Sequence, residues 1–123
     1  MARILVIDDN ASIRSALELG LPGFGHSVTV AHDGEAGLKL AEAQWVDLVL
    51  LDVEMPRMGG LAVCEALKRD PVRRHLPVLL MTGRPSPEIA ILAQKAGALA
   101  VVEKPFTWEE LMEHFTRCLP AGV

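Results

Sequence analysis

Residues 48–60 read LVLLDVEMPRMGG, and their order indicates where a buried strand ends. Four apolar residues, 48–51, form a short run typical of a core strand, and Asp52 follows them directly. A proline and a pair of glycines come next and interrupt regular structure. A carboxylate withdrawn from water is costly unless neighbouring groups compensate its charge. We therefore expect compensating groups elsewhere in the chain.

Composition places the chain among ordinary globular proteins. It has 123 residues, of which 50% are apolar and 23% are charged, so we expect a single domain over residues 1–123. A net charge of −4 does not favour nucleic-acid binding. The apolar runs are too short for a signal peptide or a membrane span, which predicts a cytoplasmic protein with no membrane contact. Cys64 and Cys118 lie in helical patterns and are expected to be small buried hydrophobes.

Apolar runs alternate with helical patterns along the whole chain. Strands that are apolar throughout need helices on both faces, which indicates an α/β fold with a parallel sheet. Asn10, Ser86 and Thr107 are predicted helix N-caps, Thr107 as the first residue of a capping box with Glu110. The predicted strands are 4–7, 27–31, 46–52, 77–82 and 99–103. The predicted helices are 11–21, 33–43, 61–67, 87–96 and 108–119.

Polar side chains stand at the carboxyl ends of four predicted strands, which meet at one edge of a parallel sheet. Asp8 and Asp9 follow the first strand, Asp52 the third, Thr82 the fourth and Lys104 the fifth. The three carboxylates and one ammonium leave this edge negative, and a divalent cation would neutralise it. Oxygen ligands suit Mg²⁺ or Mn²⁺, whereas no cluster of His or Cys points to zinc.

Four motifs in these positions carry a family resemblance: IDDN (7–10), LVLLDVEMPRMGG (48–60), LLMTG (79–83) and EKPF (103–106). Together they resemble the receiver domain of two-component response regulators over the whole chain. The resemblance implies a flavodoxin-like, CheY-like fold. Its five-stranded parallel sheet has the order 2-1-3-4-5 and is doubly wound with five helices.

The resemblance also implies the chemistry of a phosphoacceptor switch. Asp52 would accept a phosphoryl group from a sensor histidine kinase or a histidine phosphotransfer protein. Lys104 and Thr82 would contact the phosphoryl oxygens, and Lys104 would be aimed inward by a cis bond to Pro105. The chain would be a switch and no enzyme in the usual sense, with only slow self-phosphorylation and autodephosphorylation.

In the same family a Mg²⁺ ion (or Mn²⁺) assists the transfer. Here its ligands would be Asp9, Asp52 and the backbone carbonyl of Glu54, with Asp8 acting chiefly through a bound water.

Two positions beside the phosphoryl group vary within the family, and here they are Glu54 and Arg84. Their opposite charges suggest that the two side chains pair and tune the lifetime of the modified form. The usual aromatic partner of the switch residue Thr82 is replaced by Val101, and the chain has no tyrosine. The usual coupling of the threonine to an aromatic is therefore in doubt, because valine is stiff and small.

The fourth helix, fifth strand and fifth helix are predicted to share an unusually apolar surface, the face that receivers use for partners. We expect this protein to self-associate or to dock a downstream protein there, without contacting nucleic acid itself. The residues expected on this face are Ile91, Leu92, Leu99 and Val101.

Three alternatives remain open at this stage. A phosphohydrolase of the haloacid dehalogenase type would need a DxD motif on the first strand, where this chain has Asp8, Asp9 and Asn10. An interaction module that no longer accepts phosphate would not need the acidic cluster. The chain could also be a receiver fragment, with an output domain attached after 119–123.

Overall fold

A computed structural model describes residues 1–120 of the 123. Five parallel strands form one sheet in the order β2-β1-β3-β4-β5. This topology confirms the α/β class and the strand order implied by the resemblance. The strands are β1 (Arg3–Ile7), β2 (Ser27–Ala31), β3 (Leu48–Asp52), β4 (Val78–Thr82) and β5 (Ala100–Glu103).

Five α-helices alternate with the strands, as the apolar pattern predicted. The longest α-helix in the described part has 11 residues, and no helix there is long and apolar enough to cross a membrane. The helices are α1 (Ala11–Gly20), α2 (Gly34–Ala43), α3 (Gly60–Arg69), α4 (Pro87–Ala96) and α5 (Trp108–Cys118).

The central strands are buried on both faces, and each face has its own core. Successive side chains of a strand point to opposite sides, so Leu51 packs with α2, α3 and α4, whereas Leu50 packs with α1 and α5. Cys64 lies inside the first of these cores, and no disulfide joins it to Cys118, which is half-buried. Cys64 is therefore a buried hydrophobe, as expected, whereas Cys118 is only partly buried against the second core.

Side-chain caps begin four of the helices and set where the preceding loops end. The Asn10 carboxamide oxygen accepts the N–H groups of Ser12 and Ile13 at the start of α1. Ser86 caps α4 in the same way, and Asp33 caps α2. Each cap satisfies backbone donors that have no partner within the helix.

The predicted capping box at the start of α5 forms only in part. The Thr107 hydroxyl oxygen accepts the N–H of Glu110, as predicted. The Glu110 carboxylate, however, accepts the Thr107 hydroxyl at 3.2 Å, where a complete box would have it accept the Thr107 N–H.

Most strands and helices differ from the prediction by one or two residues at a boundary. Helix α1 was expected to include Leu21 but ends at Gly20, because a short 3₁₀ helix, Leu21–Phe24, follows at Pro22. Gly25 closes this turn with a φ of 87°, in the left-handed region that favours glycine. Strand β3 starts at Leu48, two residues later than predicted. The last three residues of the segment expected to precede an output domain, 121–123, lie outside the described residues.

Candidate phosphoacceptor site

The structure brings the three predicted carboxylates together at the carboxyl edge of the sheet. Asp8 follows β1 and Asp52 ends β3, and both side chains are buried. Asp9 is exposed at the rim. One carboxylate oxygen from each of the three lies within 4.8 Å of the others. The register of β1 against β3, with Ile7 opposite Leu51, places these strand ends side by side.

Lys104 lies between the two buried carboxylates. Its Nζ is 2.7 Å from Asp8 Oδ2 and 3.1 Å from Asp52 Oδ1, so it donates to both. The Lys104–Pro105 bond is cis, as the resemblance implied. This ammonium is the compensating group that the position of Asp52 required, although one cation cannot neutralise three carboxylates.

The remaining imbalance appears in the pKa values of the site. Burial, with Asp8 as a charged neighbour, raises the pKa of Asp52 to about 6 despite the contact with Lys104. Burial alone would lower the pKa of Lys104, but its bonds to Asp8 and Asp52 outweigh this and raise it. The lysine is therefore held charged, and Asp52 is ionised at neutral pH at an energetic cost.

The donor set fits a hard divalent cation. Asp8, Asp9 and Asp52 offer carboxylate oxygens that converge. Mg²⁺ and Mn²⁺ prefer such oxygen ligands, and their charge would relieve the repulsion that raises the pKa of Asp52. The ligand set expected from the resemblance is thus chemically suitable.

Thr82 is fully buried at the end of β4, and its hydroxyl is already engaged. Thr82 Oγ1 donates to Glu54 Oε2 at 2.7 Å and accepts the backbone N–H of Arg84 at 3.0 Å. The second oxygen of Glu54 accepts the N–H of Gly83 at 3.2 Å. The β3–α3 loop and the β4–α4 loop are therefore joined through one carboxylate.

The predicted ion pair between Glu54 and Arg84 is not formed. Among residues 1–120, no side-chain nitrogen of Arg84 lies within 4.0 Å of a carboxylate. The Glu54 carboxylate instead accepts hydrogen bonds from the Thr82 hydroxyl and the Gly83 N–H. The structure therefore does not contain the predicted pair, and an influence of Glu54 and Arg84 on the lifetime of the modified form stays a prediction.

Two further contacts support Asp8, and the sequence analysis did not find them. Arg14, in the first turns of α1, donates from Nη1 to the backbone carbonyl of Asp8 at 2.8 Å. The N–H of Asn10 donates to Asp8 Oδ1 at 2.9 Å. The only signal in the sequence was an arginine six residues after the acidic end of a strand. Whether its side chain reaches Asp8 depends on how α1 packs.

Gly60 is a third position that was overlooked. A Cβ atom added to Gly60 would overlap the backbone carbonyl of Asp52, and the N–H of Gly60 donates to Val53 at 3.1 Å. The start of α3 therefore packs directly on the backbone of Asp52. The sequence analysis read this glycine only as a break in regular structure.

The residues predicted for the partner face divide into two groups. Ile91, Leu92 and Leu99 are exposed on α4 and before β5. Val101 is half-buried and packs against the core shared with α3 and α4, so it offers less surface than expected. This position has no bulky side chain to relocate.

Comparison with known proteins agrees with this geometry. The family model described as response regulator receiver domain matches residues 4–116. The chain belongs to the response regulator receiver family. Among curated proteins, the receiver is 40% identical over 110 residues to the response regulator MprA of Mycobacterium avium, covering 89% of this chain and 47% of that protein.

Solved structures show the same relationship. The receiver superposes on the Vibrio cholerae chemotaxis protein CheY4 with a TM-score of 0.92 and 33% identity, covering 97% of this chain and 99% of the other. It also matches NtrX of Brucella abortus, with a TM-score of 0.87 and 32% identity, covering 96% of this chain but 27% of that one. The chain spans about half the length of the curated relatives it matches.

Proposed function

We propose that this receiver accepts a phosphoryl group on Asp52 from a phosphohistidine and thereby changes its affinity for a downstream partner. The observation that supports it best is the bridge of Lys104 between Asp8 and Asp52, inside a cluster of converging carboxylates. The donor would be a sensor histidine kinase or a histidine phosphotransfer protein in the cytoplasm. The domain over residues 1–123 would act alone or as part of a longer regulator.

In this reaction a carboxylate oxygen of Asp52 attacks phosphorus, the P–N bond to the donor histidine breaks, and that imidazole takes the released electron pair and a proton. Bound Mg²⁺ or Mn²⁺ would supply positive charge to the phosphoryl oxygens. Its ligands would be Asp9, Asp52 and the Glu54 carbonyl, with Asp8 acting through water. Asp52 can be the nucleophile because it is ionised at neutral pH.

Lys104 and Thr82 would stabilise the product. The Lys104 ammonium already contacts Asp52 at 3.1 Å and can transfer one hydrogen bond to a phosphoryl oxygen. The Thr82 hydroxyl would donate to another phosphoryl oxygen. Thr82 would therefore be the switch position by itself, without an aromatic partner residue. Val101 occupies the usual aromatic position.

Water would later hydrolyse the acyl phosphate, so the receiver is a stoichiometric switch with a slow autodephosphorylation and no separate substrate. Glu54 and Arg84 flank the acceptor and would influence how easily water approaches. The partner face would be formed by α4, β5 and α5 and would bind a downstream protein or a second copy of the chain. Its apolar residues are Ile91, Leu92, Leu99 and Val101.

Mass spectrometry after incubation with a small phosphodonor and Mg²⁺ tests the proposal. Wild type is expected to gain about 80 Da, the mass of one added phosphoryl group, and Asp52→Asn to gain nothing. Failure of the wild type to gain mass would instead favour an interaction module. Repeated turnover of a small phosphate ester would favour the phosphohydrolase alternative.

A further inference from the structure

The carboxylate of Glu54 occupies hydrogen-bond donors that a phosphoryl group on Asp52 would need. Its Oε2 accepts the Thr82 hydroxyl at 2.7 Å, and its Oε1 accepts the Gly83 N–H at 3.2 Å. Two parallel acceptor oxygens of one anion thus meet two adjacent donors. A phosphoryl group offers the same kind of acceptor, because it is also an anion with several oxygens.

The Thr82 hydroxyl cannot serve both anions at once, because a hydroxyl has one proton to donate. Its oxygen is also held in place from the other side by the N–H of Arg84 at 3.0 Å. When the proton changes acceptor, the oxygen can therefore stay where it is. The Thr82 side chain is fully buried in the unmodified protein, where Glu54 is its acceptor.

Electrostatics act in the same direction. Glu54 lies two residues after Asp52 in the sequence. Its carboxylate is close enough that its negative charge helps to raise the pKa of Asp52. Phosphorylation would add further negative charge to Asp52, so repulsion between the two anions would increase. Glu54 is exposed, and its side chain can swing out into solvent at little cost to packing.

We propose that Glu54 is a built-in competitor of the phosphoryl group: it holds the Thr82 hydroxyl and the Gly83 N–H in the unmodified receiver and is displaced when Asp52 is modified. This inference rests on the proposed function. Glu54 opposes modification by occupying these donors. At the same time it keeps Thr82 in a position from which the hydroxyl can donate to a phosphoryl oxygen. Release of Glu54 uncouples the β3–α3 loop from the β4–α4 loop.

Titration with beryllium fluoride in the presence of Mg²⁺ tests the competition, because this anion imitates a phosphoryl group without chemical turnover. Glu54→Ala is expected to bind it about tenfold more tightly than wild type, since no carboxylate has to leave. Glu54→Gln, which keeps an acceptor but loses the charge, is expected to lie between the two. Glu103→Ala is the matched control: it removes one exposed charge at the same sheet edge, opposite Thr82 in the β4–β5 register, and should change the affinity less than twofold.

Amide hydrogen exchange at Gly83 in the unmodified protein checks the contact independently. Exchange is expected to be faster in Glu54→Ala than in wild type and unchanged in Glu103→Ala. Equal affinities of Glu54→Ala and Glu103→Ala for the anion, or unchanged Gly83 exchange, would overturn the inference. If the wild type binds no beryllium fluoride and gains no mass from a phosphodonor, the proposed function itself fails, which is a different result.

Discussion

At the scale of single residues, ionisation of Asp52 lowers the stability of the folded protein. Its pKa is raised to about 6 by burial and by Asp8, whereas an aspartate in the unfolded chain titrates near 3.8. Between these two values the folded protein binds a proton that the unfolded chain does not. In the absence of metal, this group therefore adds stability as the pH falls through 6 and removes it as the pH rises.

Asp52→Asn is accordingly expected to stabilise the metal-free protein at pH 7 by about 3 kcal/mol, the free energy that corresponds to a pKa raised from 3.8 to about 6. The gain should shrink towards pH 4, where Asp52 itself becomes neutral. Urea unfolding of both proteins in EDTA at several pH values measures the difference. An equal gain at pH 4 and pH 7 would show that charge is not its cause.

His26 gives a pH dependence of opposite sign. Its Nδ1 accepts the N–H of Ala2 at 3.2 Å, and its ring packs edge-on against Phe115 of α5. Burial, and to a lesser extent the positive N-terminal amine, lower the pKa of His26. Below pH 6.5 the unfolded chain takes up a proton that the folded protein resists, so the fold loses stability as the pH falls.

We expect His26→Asn to remove this loss, because the asparagine oxygen can accept the Ala2 N–H and does not titrate. At pH 7 the variant should unfold close to wild type, whereas near pH 5 it should be more stable by about 1 kcal/mol, the net worth of one hydrogen bond. Thermal unfolding across this range measures it. Parallel pH profiles for the two proteins would contradict the assignment.

At the scale of elements, the acceptor site depends on how closely the start of α3 approaches the end of β3. Gly60 allows this approach, since a side chain there would collide with the backbone carbonyl of Asp52. The helix cannot shift away freely, because Val63 and Leu67 anchor it in the core. The position of the Asp52 backbone therefore depends on the packing of α3, and neither can change without the other.

Gly60→Ala is expected to destabilise the fold by about 3 kcal/mol, as over-packing of a tight site does. Gly23→Ala is the control, because nothing lies within 4 Å of a Cβ there and its backbone is not left-handed. Chemical unfolding compares the two. A Gly60→Ala variant as stable as Gly23→Ala would mean that α3 does not approach Asp52 this closely.

At the scale of the whole molecule, three exposed large apolar side chains lie on α4 and directly before β5. Ile91, Leu92 and Leu99 are each about half exposed, although α4 is otherwise packed on the sheet through Ala93 and Ala96. A group of this kind is more typical of an interface than of isolated surface hydrophobes. We therefore keep this face as the proposed docking surface.

Sedimentation of the protein with Mg²⁺ and beryllium fluoride tests this surface. If a second copy is the partner, the phosphoryl mimic should promote a dimer that Ile91→Asp weakens at least tenfold. Leu19→Asp is the control, because Leu19 is even more exposed but lies on α1. A monomer under all conditions would leave docking of another protein, and equal effects of the two variants would argue against this face.

Much of this architecture was readable from local patterns. The β-strands and α-helices were found where apolar periodicity predicted them, because burial between helix layers requires strands that are apolar throughout. The grouping of Asp8, Asp52 and Lys104 also followed, since parallel strands bring their carboxyl ends to one edge. Boundaries were less predictable: Leu21 continued a helical pattern yet begins a 3₁₀ turn.

The order of the residues was enough to predict the α/β class, the acidic cluster and the one lysine beside it, because these depend on periodicity and on chain direction. The folded chain was needed to show that Glu54 bonds Thr82 and not Arg84, and that Gly60 packs on Asp52. These contacts form only if separate loops are placed relative to one another to within a few tenths of an ångström. Short-range sequence patterns carry no information at that precision, because the packing of all five helices sets it.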